Sequence, residues 1–300
     1  MIEPPLDWAL SRRRFLAAAP ILAACMVPGS NVLRVIHQGA ESVRDTRNDY
    51  YWKLLDLVLA RTLATWGPYE LAAAPMYMNG PRSYYELQQG ALTVIARSTG
   101  DELERTLLPI RIPLDKGLLG YRVFLIREDR QAELASVRTL ADLQRYTIGQ
   151  AAAWNDVPIL HAAGFQVVTG SDYEGLFGML DRGRFDLFSR SIVEAVTELE
   201  ARRSSYPDLV IERNLLLYYP LPRYLFVRRD ACGELLAHRL LDGFEMIQKD
   251  GSFDRLFAEY KEPIERAVNL KARRLFRIPN PTLNPLTPLG RPELWYDPTR

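Results

Sequence analysis

Apolar runs of strand length alternate with amphipathic segments of helical spacing over residues 32–261 of the 300-residue chain. This alternation is typical of a sheet flanked by helices, and it predicts an α/β fold. The first part of the chain reads strand, helix, strand, helix, strand. These predicted elements are Val32–Ile36, Asp49–Trp66, Tyr69–Ala74, Ser83–Gln89 and Ala91–Ala96.

The same alternation continues after an apolar strand at Tyr121–Ile126, and it predicts a second αβ unit. Thr139 is a plausible N-cap for the helix that opens this unit. The strands predicted from there on are Thr147–Gln150, Gln166–Val168, Phe185–Phe188, Val210–Leu217 and Tyr224–Val227. The predicted helices are Val157–Ala163, Tyr173–Arg182, Ser191–Arg202 and two helices between Ala231 and Lys261.

Two apolar segments, Tyr121–Ile126 and Tyr218–Val227, flank the second unit, so we expect the chain to cross between two lobes there and to form a two-stranded hinge. The first lobe is predicted to comprise residues 31–120 and 225–272, and the second residues 121–224. Residues 273–300 contain six prolines and should be extended. Apolar side chains such as Leu275 and Trp295 predict that this tail packs on the first lobe.

The N-terminus reads as an export signal over residues 1–30. Ser-Arg-Arg-Arg-Phe-Leu at residues 11–16 precedes an apolar run that is too short to span a membrane, and it resembles a twin-arginine signal. Leu22-Ala23-Ala24-Cys25 resembles a lipobox, which would make Cys25 a lipidation site; the alternative is cleavage near Gly29 or Ser30 without lipidation. We therefore expect a periplasmic or extracytoplasmic protein that meets the membrane only through its signal or lipid.

Composition and charge reduce the number of function classes that fit this chain. Apolar residues make up 48% of the chain, enough for a sizeable core, and the formal charge of +1 argues against a nucleic-acid partner. The three histidines, His37, His161 and His238, are far apart and lack neighbours at metal-ligand spacing, so no metal or other cofactor is expected. The sequence has no nucleophile elbow, Walker loop or dinucleotide fingerprint, which argues against an enzyme. A monomer is expected.

Several segments together resemble the type II periplasmic solute-binding proteins, particularly the amino-acid-binding, ABC-transporter-linked family. They are Leu140–Leu143, Thr147–Gln150, Gly175–Leu180 with Gly183–Asp186, and Ile247–Phe253 with Tyr260. The resemblance covers roughly residues 32–262. It implies two lobes that close on a small anionic or zwitterionic ligand, and a membrane permease or sensor protein as partner.

The resemblance implies that Arg105 holds a ligand carboxylate. Where the family often has an aspartate for a ligand ammonium group, this chain has Ser189, Arg190 and Ser191, with Glu194 one turn further on. We expect Arg190 to grip the ligand opposite Arg105; the alternative is an ordinary ion pair between Arg190 and Glu194.

The remaining ligand-binding residues are predicted from their place at strand ends, because open α/β sheets bind ligands there. They are Glu41, Ser42, Arg97, Gln150, Trp154, Asn155, Ser191 and Tyr218. For Trp154 the alternative is packing on the lobe surface, with Asp156 capping the next helix.

The sequence therefore predicts an exported solute-binding protein for uptake or sensing. Two alternatives remain. One is a hydrolase or lyase on the same scaffold, with Glu41 or Glu194 as acid or base. The other is a sensory or assembly lipoprotein without small-molecule transport.

Overall fold

A computed structural model describes residues 26–27, 29–40 and 48–298. The predicted signal with Cys25, and the predicted site residues Glu41 and Ser42, lie outside the described residues. The described chain forms strands and helices in alternation, as the hydrophobic pattern predicts. The α/β fold class is confirmed.

The described chain contains twelve strands. They are β1 Leu33–His37, β2 Tyr69–Ala73, β3 Ile95–Ser98, β4 Leu107–Ile110, β5 Tyr121–Arg127, β6 Ile148–Ala151, β7 Val167–Gly170, β8 Leu187–Ser191, β9 Leu209–Ile211, β10 Leu215–Tyr218, β11 Arg223–Arg228 and β12 Arg274–Arg277.

The helices of the described chain are α1 Asp49–Arg61, α2 Leu63–Trp66, α3 Gly80–Gln89, α4 Asp101–Thr106, α5 Gln131–Leu134, α6 Leu140–Leu143, α7 Asp156–Ala162, α8 Tyr173–Asp181, α9 Ala195–Glu200, α10 Ala231–Lys249 and α11 Ser252–Val268. None of these helices is both long and apolar enough to cross a membrane.

Capping side chains determine the residues at which several helices begin. The Thr139 hydroxyl accepts from the Asp142 backbone N–H, and the Asp142 carboxylate accepts from the Thr139 N–H, which forms a capping box at α6. Asp172 and Asp230 cap α8 and α10 by accepting backbone N–H bonds from residues three positions on. These caps define where α6, α8 and α10 begin.

The chain divides into two compact units. The first consists of the chain up to Arg97 together with Glu102–Leu114 and Tyr224–Leu256, and the second of Ser98–Asp101, Asp115–Arg223 and Phe257–Arg300. In the first unit β1 pairs in parallel with β2, and β3, β11 and β4 form a second sheet in that order. Helices α1 and α10 pack against each other in this unit.

The second unit is built on a seven-stranded sheet in the order β12-β10-β5-β8-β6-β7, with β9 also pairing with β5. Strand β5 is antiparallel to both β8 and β10, whereas β6, β7 and β8 are parallel. The amino end of β5 therefore lies at the same sheet edge as the carboxyl ends of β6, β8 and β10. Every residue of β8 and all but the last of β5 are buried, and the burial of β5 explains its apolar run Val123–Ile126.

The C-terminal tail corrects one expectation. Instead of packing on the first lobe, it enters the second unit, where β12 pairs in parallel with β10 and Phe276 and Ile278 join that unit's core cluster. An apolar, proline-rich sequence indicates that the segment is buried, but it does not indicate which strand the segment pairs with. The prediction was wrong for that reason.

Candidate functional site

The carboxyl edge of the second unit's sheet gathers most of that unit's buried polar side chains. Arg122 at the start of β5 lies opposite Ser191 at the end of β8, and Asp156 starts α7 just after β6. Arg122, Asp156 and Ser191 are at most 7% exposed. Because burying charges without partners is costly, such a set must be internally bonded.

Arg122, Asp156 and Tyr219 form one closed cluster. The Arg122 Nη2 and the Tyr219 hydroxyl both donate to Asp156 Oδ1, and Arg122 Nε donates to the Tyr219 oxygen at 2.9 Å. Burial raises the pKa of the Tyr219 hydroxyl well above its ordinary value. Burial opposes the charge on Arg122, but Asp156 and Tyr219 outweigh it and raise the Arg122 pKa. This cluster therefore contains one fixed ion pair and a neutral phenol.

Arg190 lies beside a second cluster. Its guanidinium donates to both oxygens of Glu198 at 2.6 Å and to Glu194 Oε2 at 2.9 Å. Its Cζ lies 4.5 Å from the centre of the Trp154 ring, so a cation–π contact adds to the ion pairs. Burial opposes the charges here too, yet the Arg190 pKa is raised by its two carboxylates and the Glu198 pKa is lowered by Arg190. The positive charge of Arg190 is thus balanced by carboxylates of the protein itself.

The structure brings some predicted site residues together. Trp154, Arg190 and Glu194 are in contact, and Gln150 and Ser191 lie at the same sheet edge. The Gln150 side chain is fully buried; its Nε2 donates to the Ser189 carbonyl at 3.2 Å. Its Oε1, like the Ser189 hydroxyl, is buried without a hydrogen-bond partner among the described residues.

Other predicted site residues contact other parts of the protein. The Asn155 amide donates to the Thr99 carbonyl at 3.0 Å, so it holds a neighbouring segment. Tyr218 lies at the carboxyl end of β10, where it contacts the Tyr121 ring and lies under the Arg277 guanidinium. Arg97 and Arg105 belong to the first unit. There Arg97 packs against the backbone of Gly80, and Arg105 is exposed in the last turn of α4.

Three members of these clusters were not predicted from the sequence: Arg122, Tyr219 and Glu198. Arg122 carried a usable signal, because it is a charged residue inside the apolar run Tyr121–Ile126, and such a residue needs a buried partner. Glu198 carried none, since it reaches Arg190 across the irregular turn between β8 and α9, where neither helical nor strand spacing applies. Within the described chain, no group of three or more His, Cys, Asp or Glu side chains could hold a metal ion.

No family model matches the chain. No curated protein matches it either.

Several solved structures share its fold at low sequence identity. The probable amino-acid ABC transporter extracellular-binding protein ytmK from Bacillus subtilis aligns with a TM-score of 0.53 and 14% identity, over 76% of this chain and 97% of its own. The VFT2 domain of BvgS from Bordetella pertussis, as a double mutant, aligns with a TM-score of 0.53 and 17% identity, over 83% and 97%. An ancestral arginine-binding protein bound to arginine aligns with a TM-score of 0.50 and 16% identity, over 77% and 98%. The chain therefore has the α/β fold of the periplasmic binding proteins.

Proposed function

We propose that this protein is an extracytoplasmic binding protein for a small zwitterionic, amino-acid-like solute. The observation that carries this proposal is the group formed by Trp154, Arg190 and Glu194 at the carboxyl edge of the second unit's sheet. Ligands of open α/β sheets bind at that edge. An aromatic ring beside a carboxylate is a suitable environment for an ammonium group.

The charge balance of this edge favours a zwitterion over a simple anion. The carboxylates of Asp156, Glu194 and Glu198 face the guanidinium groups of Arg122 and Arg190, which leaves one negative charge in excess. Glu194 is the more accessible partner of Arg190: its side chain is 18% exposed, against 7% for Glu198. We infer that Glu194 binds the cationic part of the ligand, whereas the sequence predicted that Arg190 binds its anionic part.

The structural neighbours support this ligand class. One is described as an amino-acid extracellular-binding protein and another was solved with arginine bound. Amino acids are therefore the first compounds to test, with basic amino acids and polyamines beside them. The proposal also includes an N-terminal export signal, lipidation of Cys25, and a membrane permease or sensor protein as partner.

The test is a thermal-shift screen of the purified protein against these compounds, followed by titration calorimetry of any hit. A ligand at 100 times its Kd should add about 2.7 kcal/mol of stability. Glu194→Gln should weaken binding at least ~10-fold, since a hydrogen bond to a charged group contributes about 1.5–3 kcal/mol. Glu200→Gln on the exposed side of α9 is the matched control and should bind normally. Equal affinities of the two variants would exclude Glu194 as a ligand contact.

A second function is favoured by a specific observation. Arg190 is already neutralised by Glu194 and Glu198, as expected of a protein whose site no longer grips small anions. If no compound in the screen stabilises the protein, a sensory or assembly role without solute transport becomes the better hypothesis.

A further inference from the structure

A basic pocket lies at the opposite edge of the second unit's sheet, near the amino ends of β10 and β12. It is an open pocket with a volume of about 530 Å³. Its lining residues are Ala135, Arg138, Asn214, Ala272, Arg273 and Arg274. None of them belongs to the candidate site described above.

Two of its arginines converge on one backbone carbonyl. Arg138 Nη1 donates to the Ala135 carbonyl at 2.6 Å and to the Val137 carbonyl at 3.3 Å, and Arg274 Nη1 donates to the same Val137 oxygen. Within the part of the chain that the structure describes, neither guanidinium forms an ion pair with a carboxylate. Two like charges that share one acceptor repel each other unless an anion lies between them.

The third arginine has only a weak counter-charge. Arg273 donates to the carbonyls of Val268, Glu212 and Leu215, and its nearest carboxylate contact is Glu212 at 3.8 Å. That carboxylate already accepts the backbone N–H groups of Asn214 and Leu215. Burial lowers the pKa of Arg273 to about 10, and Glu212 opposes this only in part. The pocket therefore carries three guanidinium groups against one carboxylate.

We propose that this pocket binds a phosphoryl group, held between Arg138 and Arg274 with Asn214 as a further donor. Guanidinium groups match phosphate oxygens in a bidentate geometry, and a doubly charged phosphoryl group balances the excess of two positive charges. The Asn214 side-chain amide has no partner among the described residues, so it is available to donate. A soluble phosphate monoester carries this double charge, and a phospholipid headgroup presents the same oxygen acceptors in a singly charged phosphodiester.

The test is titration calorimetry of the purified full-length protein with inorganic pyrophosphate. Arg138→Gln and Arg274→Gln should each weaken binding at least ~10-fold, the effect of losing one charge-assisted contact. Arg145→Gln is the control, because Arg145 is highly exposed, its nearest carboxylate is Asp142 at 3.7 Å, and it does not line the pocket. Co-sedimentation with phosphatidylglycerol vesicles, against phosphatidylcholine vesicles, separates the two ligand sources. The proposal is overturned if neither probe binds, or if binding is the same in the pocket variants and the control.

A second measurement guards against a purely structural role for these arginines. In anion-free buffer the two pocket variants should melt at the same or a higher temperature than the unmodified protein, because a like-charge contact is removed. The rise in melting temperature that pyrophosphate produces should disappear in both. A lower melting temperature with unchanged pyrophosphate affinity would show that the arginines only cap carbonyl groups, and would refute the site.

Discussion

Asp115 shows how one buried carboxyl group can make the stability of a unit depend on pH. It is fully buried in the second unit, and its carboxylate accepts the backbone N–H groups of Gly117 at 3.1 Å and Leu119 at 3.2 Å. Burial raises the pKa of Asp115 from 3.8 to about 6, although these N–H groups and Arg223 favour the charged form. The carboxyl group therefore ionises close to the neutral range.

The stability that the neutral form of Asp115 provides should be lost as the pH rises. The folded-state pKa is above the unfolded one, so this contribution is complete below about pH 4 and is lost as the pH passes through about 6. The loss should total about 3 kcal/mol, from roughly two pKa units at 1.36 kcal/mol each. We expect the unfolding free energy of Asp115→Asn, relative to the unmodified protein, to increase by this amount between pH 4 and pH 7 in urea denaturation. Exposed Asp208→Asn should give a constant difference, and a constant difference for Asp115→Asn as well would contradict the argument.

At the scale of elements, helices α1 and α10 of the first unit pack closely through a glycine. A Cβ atom at Gly243 on α10 would lie 2.5 Å from the Val58 carbonyl oxygen and 2.7 Å from Val58 Cγ1 on α1. Arg239, also on α10, donates to Thr62 Oγ1 and to the Gly67 carbonyl at 2.8 Å each, beyond the end of α1. Gly243 and Arg239 together fix how the two helices meet.

Gly243→Ala should destabilise the protein although alanine is the better helix former. Overpacking a tight contact costs about 1–3 kcal/mol, whereas the gain in helix propensity is about 1 kcal/mol. We expect a net loss of about 1 kcal/mol, and at most about 2 kcal/mol, in chemical denaturation. Gly290→Ala is the control, because a Cβ atom there would meet nothing within 4 Å. An unchanged or higher stability for Gly243→Ala would show that the helices can move apart at no cost.

Hydrophobic periodicity predicted most elements to within a few residues and failed where a polar side chain competes for the backbone. Val210–Leu217 was expected as one strand, but Glu212 accepts the N–H groups of Asn214 and Leu215 and divides it into β9 and β10. The helix expected from Ser191 begins only at Ala195, because Ser191 still pairs with Arg122 in the sheet. Such competition depends on contacts that periodicity does not report.

At the scale of the whole molecule, each unit has its own apolar core. The second unit's core joins residues from Leu119 to Leu221 with Phe276 and Ile278 of the tail, and a core cluster of the first unit includes Leu87, Leu107 and Phe226. The sequence predicted the α/β fold because local patterns repeat along it. It did not predict the partner of the tail or the pairing of Arg190 with Glu198, because both are settled by packing in three dimensions.

The proposed export route gives a prediction for the whole chain. Replacing Arg12 and Arg13 by Lys should block translocation of a folded reporter fused after residue 30, since the surrounding signal motif is otherwise complete. Fractionation of cells that produce the two fusions measures the effect. Normal export of the Lys-Lys fusion would exclude the twin-arginine route. In the same assay Cys25→Ala should release the protein from the membrane fraction, and continued attachment would exclude acylation of Cys25 as the sole anchor.

The position of β12 determines when the sheet of the second unit can be completed during synthesis. Residues from Phe257 onward belong to the second unit, and β12 covers the edge of β10. Since a chain is made from its N-terminus, that edge stays unpaired, and Phe276 and Ile278 are missing from the core, until residues 274–278 have left the ribosome. A chain that stalls or is cut before residue 274 therefore carries an unfinished sheet with an open edge, which favours aggregation. Under the proposed twin-arginine route, the folded second unit could be exported only after β12 has left the ribosome.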